Sequence, residues 1–145
     1  MCGFIVGRNL NEDLNEVIEE ISYRGISGFK GYEEYRGKMY VEDVYQFAHY
    51  SLPIVNLDRE NAIQPLHNEV GIPSVFVGEI FNYKEFGDFK IDGQAMVDTY
   101  YDKGPQDFYK FDGFWSFVTI AQRGFIGITD YLGQKPIYYR NDLSR

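Results

Sequence analysis

Hydrophobic positions change their spacing several times along the chain, and each change marks an element. Cys2–Val6 is a short apolar run with Gly7, Arg8 and Asn9 as its exit, the pattern of a buried strand. Leu14, Val17, Ile18 and Ile21 then recur at helical spacing. Asn9 or Asn11 offers a cap for this helix, and Glu12, Asp13 and Glu16 lie where a helix N-terminus favours negative charge. The helix ends before Gly25, and the glycine-rich run Arg24–Gly31 reads as a loop. From Tyr32 onward the pattern is one of strands: Glu33–Arg36, a hairpin turn at Gly37, Lys38–Val44, Tyr45–Tyr50 and Pro53–Val55. The polar stretch Asn56–Gly71 is irregular, and long for a loop without function. Ser74–Ile80 is the next strand, and Asp92 caps a second helix carrying Ala95, Met96, Val97, Tyr100 and Tyr101 that stops at Gly104 and Pro105. A short helical turn is expected after it.

The last third predicts a hairpin, Gly113–Ala121 and Phe125–Thr129, turned at Gln122–Gly124. Phe114, Ser116, Val118 and Ile120 share one face of its first strand, and Trp115, Phe117, Thr119 and Ala121 the other. Both faces are apolar, so the strand should be covered on both sides. Two helices and several doubly covered strands imply the α+β class, a β-sandwich flanked by helices in four layers, αββα.

Composition narrows the function. A chain of 145 residues suits one domain, 1–145, with a core of its own. One cysteine forbids an internal disulfide, and with 2 histidines the chain is too poor in ligands for a zinc cage; neither metal nor cofactor is expected. That usage suits a reducing cytoplasm, and no basic segment precedes a long apolar run, so no membrane association is expected. A net charge of −8 argues against nucleic acid and anionic membranes as partners. The 13 Tyr and 12 Phe therefore read as packing between sheets, not as base-stacking platforms.

The lone cysteine stands next to the initiator methionine. If Met1 is removed, Cys2 carries a thiol and an α-amine on one residue, and the neutral amine, with a pKa of roughly 7.7–8.0, takes the thiol proton near neutral pH. A thiolate with its own base fits acyl transfer through a thioester. A small apolar residue opening a buried strand is the structural alternative.

Several segments resemble the glutaminase domain of class II glutamine amidotransferases, above all the N-terminal half of asparagine synthetases. MCGFIVG is similar to the family's MCGI-type opening, YRGISG (Tyr23–Gly28) to its HRGPDG loop, and AHYSLPIV (Ala48–Val55) to its GHxRLxIV segment. Gln64 and Pro65 fall on its QP, VGEIFNYKEF (Val77–Phe86) on NGEIYNYxEL, DGFWSFV on DGMFAFA, and DYLGQKPIYY on DxxGxKPLYY. The resemblance implies a four-layer αββα N-terminal-nucleophile hydrolase, shortened at its C-terminus, that cleaves the glutamine side-chain amide and delivers ammonia to a separate synthetase. It casts Cys2 as nucleophile and the Gly78 N–H as oxyanion donor. Asp92 would hold the substrate ammonium, Glu79 and Ile54 would border the pocket, and the loop of Arg24, Gly25 and Gly28 would be a lid. His49 and Asn82 take scaffold roles.

Four departures bear on this. Ser51 stands where the family has the arginine that grips the substrate carboxylate, and Val77 where it has an oxyanion-hole asparagine. Gly93 and Gln94 replace the residues after the family's aspartate. The KPIYY segment is expected to be a strand, and the family's later strands do not follow it, which leaves a sheet edge for a homodimer or a synthetase subunit. Two functions stay open: an enzyme acting on glutamine or a related small amide, and a binding module on the same fold.

Overall fold

The computed structural model describes residues 2–24, 29–37, 43–52, 63–122 and 124–141. Strand β1 (Gly3–Arg8) is followed by a single α-helical turn, α1 (Leu14–Val17), and a 3-10 helix, Ile18–Arg24. The expected amphipathic helix is thus present but divided. Its β-branched residues Val17, Ile18 and Ile21 are weak helix formers, and Ile21 leaves the helical region at φ −109°, ψ 18°. Neither Asn9 nor Asn11 is its cap. Asp13 is, accepting a bond from Asn15 N at 2.9 Å, while Asn9 has φ 53° and turns its side chain to Asp43 and Val44 N.

Strands β2 (Lys30–Arg36) and β3 (Val44–Tyr50) complete a three-stranded antiparallel sheet in the order β1-β3-β2. The expected strands Lys38–Val44 and Pro53–Val55 lie wholly or mostly outside the described residues. A second antiparallel sheet follows, in the order β4-β5-β6-β7: β4 (Leu66–His67), β5 (Pro73–Ile80), β6 (Gly113–Ala121) and β7 (Gly124–Thr129). Between β5 and β6 lie a 3-10 turn (Tyr83–Phe86), the helix α2 (Asp92–Lys103) and a 3-10 helix (Pro105–Lys110). The long polar stretch is therefore not wholly irregular, since it holds β4.

Alternation along the strands sorts the side chains into layers. Tyr45 and Phe47 of β3 meet Val75 of β5 and Val118 of β6, with Phe4, Val6, Ile120 and Phe125 at the margin, so the two sheets pack face to face. Ala48 and Tyr50 point the other way and are covered by Leu14 and Ile18. Phe76, Trp115 and Phe117 on the outer face of the second sheet are covered by Ala95, Met96 and Val97 of α2 and by Phe108. The helical segments, the two sheets and α2 make an α+β sandwich, and β6 is buried on both faces as its pattern predicts.

Two expectations fail locally. Asp92 does not cap α2 from outside: it is the first residue of the helix, the cap position belongs to Ile91, and the carboxylate is used elsewhere. The KPIYY segment is not a strand. Pro136 has no N–H to give to a ladder, and Ile137 turns onto the sheet face at Gly127, where an added Cβ would stand 3.2 Å from its Cδ1. The outer edge of β7 is consequently unpaired among the described residues.

Phe117 is fully buried, with Tyr100 and Phe108 at ring separations of 5.7 and 5.6 Å. Phe117→Ala should cost about 3–5 kcal/mol, whereas Tyr138→Ala, on a fully exposed ring, should change stability by less than about 0.5 kcal/mol. Urea denaturation monitored by circular dichroism measures both.

Candidate active site

The site lies at the end of the space between the two sheets. Cys2 has the same parity as Phe4 and Val6, so its side chain leaves β1 toward the second sheet. Its sulfur accepts a bond from Leu52 N at 3.1 Å and lies 3.5 Å from Leu52 O, while Arg24 Nε donates to Cys2 O at 3.4 Å. Burial pushes the thiol's pKa up; the Leu52 N–H opposes the rise, the charge of Asp92 adds to it and that of Lys135 counters it. The thiol therefore sits within electrostatic reach of one anion and one cation from distant parts of the chain.

Across from it is the edge of β5 that β6 does not use. Beyond Ser74 this edge has no strand partner among the described residues, because β4 pairs only Leu66 and His67 with it. Side chains take the place of a strand. The Gln64 amide accepts from Phe76 N at 2.7 Å and donates to Phe76 O at 2.9 Å. Asp92 Oδ2 accepts from Ile80 N at 2.9 Å, and its Oδ1 from Gly93 N. Gly78 lies between these two residues and presents its N–H in the same direction, since positions two apart in a strand point alike. Trp115, its partner across the ladder, is turned away: Trp115 N donates to Asp130 Oδ2, and Trp115 O accepts from Asp130 N, both at 3.0 Å. Among the described residues no side chain accepts from Gly78 N. Only glycine fits here, because φ is +129° and a Cβ would lie 2.0 Å from Phe114 O.

Beside this N–H, Val77 and Glu79 emerge on the inter-sheet face with Val75. Val77 is buried and supplies no polar atom. Glu79 is half-buried and its charge, added to burial, raises the pKa of Asp92 against the opposing bonds from Ile80 N and Gly93 N. Ser51 is buried with its hydroxyl 3.0 Å from His49 Nδ1. His49 Nε2 lies 3.1 Å from Phe76 O, and a carbonyl only accepts, so Nε2 carries the proton and Nδ1 accepts from Ser51. Complete burial lowers the His49 pKa from 6.5 to about 4 and keeps the ring neutral. Asn82 donates to Lys110 O and accepts from Asp112 N, tying two loops together.

The structure thus brings Cys2, Ser51, Val77, Gly78, Glu79, Asp92 and Arg24 to one end of the sandwich. Ile54, Gly25 and Gly28 lie outside the described residues. Sequence reasoning left Gln64 as a motif match and gave Asp130 and Lys135 no role. The Asp-x-x-Gly turn at Asp130 was a readable signal for a side-chain-organised loop; no periodicity marks Gln64. Among the described residues no group of three or more His, Cys, Asp or Glu side chains is placed to hold a metal ion, and no helix is long and apolar enough to cross a membrane.

A thiol and a strand-edge backbone N–H at one end of a sandwich are compatible with acyl transfer from amides and esters. The chain belongs to the glutamine amidotransferase domain family, whose family model matches residues 1–144. No curated protein matches the chain.

His49 makes stability pH-dependent with a definite sign. Its folded pKa lies below the unfolded value, so the unfolded chain binds the proton first and stability falls as pH drops through 6.5 toward about 4. Between pH 7 and pH 5 this group should remove about 2 kcal/mol. Urea titrations at the two pH values should show that loss in the parent protein and a smaller one in His49→Gln.

Proposed function

We propose that this domain is a glutaminase that hydrolyses the side-chain amide of glutamine through a thioester on Cys2 and supplies ammonia to a separate synthetase. The observation that carries the reading is the Gly78 N–H on the β5 edge between Gln64 and Asp92, accepted by no side chain among the described residues, in a chain of the glutamine amidotransferase domain family. In this scheme Met1 is removed and the α-amine of Cys2 takes the thiol proton. The thiolate attacks the amide carbon, and the Gly78 N–H donates to the oxygen as it becomes anionic, an interaction worth about 3–4 kcal/mol in other acyl-transfer enzymes. The C–N bond breaks, ammonia leaves with the proton returned by the amine, and water cleaves the thioester to release glutamate. Asp92 faces the substrate ammonium and Glu79 borders it. Arg24 holds the Cys2 carbonyl and thereby the strand that carries the nucleophile.

Two features favour a second reading, an interaction module with weak turnover. Val77 leaves the oxyanion with one donor, and the Ser51 hydroxyl is already bonded to His49. In either case the outer edge of β7, which has no strand partner among the described residues, together with the exposed Tyr131, Leu132, Tyr138 and Tyr139 that follow it in the chain, is the surface we assign to a synthetase subunit or a second copy.

The chain should lose Met1 and become covalently labelled by diazo-oxo-norleucine, an electrophilic glutamine mimic, as read by intact-protein mass spectrometry. Cys2→Ala and an uncleavable N-terminal extension should each abolish labelling and ammonia release. Full activity of the extended form would exclude the α-amine as base.

A further inference from the structure

A zwitterionic amide needs an anion for its ammonium and a cation for its carboxylate, because leaving either charge unpaired in a desolvated site is costly. Asp92 supplies the first. For the second, Ser51 carries no charge and its hydroxyl is committed to His49, an arrangement that the neutral imidazole and the Phe76 carbonyl fix from behind. Lys135 is placed differently. Its ammonium lies 5.2 Å from the centre of the Phe114 ring, it is half-buried, and it makes no salt bridge among the described residues.

The position is built. The buried Asp130 carboxylate accepts from Trp115 N and Leu132 N at 3.0 Å and from Gln134 N at 3.4 Å, which pins the loop before Lys135 near the start of β6. Those bonds outweigh burial and hold the Asp130 pKa below the ordinary carboxylate range, so the clamp is ionised at neutral pH. Two residues after Lys135, Ile137 seats on β7 in the space left by Gly127. Between these anchors the lysine stem crosses Phe114, the residue paired with Glu79 and next to the partner of Gly78. Lys135 therefore stands over Phe114 on the sheet face and Asp92 at the sheet edge beside Ile80, on the ladder positions that follow Gly78, and the charge of each acts on the thiol.

We propose that Lys135 binds the α-carboxylate of the amide substrate, opposite Asp92, and so selects amides that carry that carboxylate. The inference rests on the glutaminase reading and names the group that gives it specificity. Phe114 orients the ammonium without neutralising it, since a ring face offers a partial charge and no proton acceptor.

The test compares L-glutamine with 4-aminobutanamide, the same amide without its α-carboxylate, on the processed full chain and on Lys135→Met and Lys135→Arg. The ratio of kcat/KM for glutamine over 4-aminobutanamide should fall about tenfold in Lys135→Met, mainly through KM for glutamine, and Lys135→Arg should retain most of it. If Lys135→Met melts earlier than the parent, Lys135→Gln gives the same comparison. An unchanged ratio, or equal losses on both amides, would overturn the inference while leaving the glutaminase reading intact. A parent protein that hydrolyses neither amide, whose Cys2→Ala variant binds neither by calorimetry, would remove the glutaminase reading and the inference with it.

Discussion

A buried backbone N–H or C=O must find a partner, and the free edge of β5 is where this chain meets that requirement without a strand. Gln64 serves both groups of Phe76, with His49 as a second donor to its carbonyl, and Asp92 serves Ile80 N. These contacts come from three different segments, so satisfying one edge also fixes the Gln64 loop, the end of β3 and the start of α2 against the second sheet. The amide between them, Gly78 N, is accepted by no side chain among the described residues. Its glycine is imposed by the approach of Phe114 O, so the residue that opens the edge is also the one the packing permits.

Around that edge burial favours the neutral forms of the innermost groups. The thiol and the Asp92 carboxyl are both pushed toward their neutral forms by burial, His49 is held neutral, and Lys135 and Glu79 remain as half-buried charges at the mouth. A neutral histidine suits a scaffold, since a protonated ring could not accept the Ser51 hydroxyl. Lys135 works against the burial of the thiol, while Asp92 works with it, so a ligand that neutralised Asp92 would ease ionisation of Cys2.

Much of the fold was legible in the sequence because period and burial agree. The β6 strand, apolar on both faces, had to lie between two layers, and it does. The first helix was legible only as an amphipathic stripe: its 3-10 geometry and its cap at Asp13 depend on how Ile18 and Ile21 fit against β3, which spacing does not encode. KPIYY looked like a strand because its residues favour one; Pro136 and the seat for Ile137 at Gly127 decided otherwise.

By itself the sequence determined the class of the chain, the strand order of its last hairpin and the presence of one thiol at the start of a buried strand. These follow from local periodicity and from residue chemistry. Tertiary structure alone decided which side chains serve the β5 edge, that Ser51 is spent on His49, and that Asp130 holds the loop before Lys135 against β6. The contacts on the β5 edge and at Asp130 join residues far apart in the chain, and they exist only once the two sheets have packed and the edge has been closed on either side of Gly78.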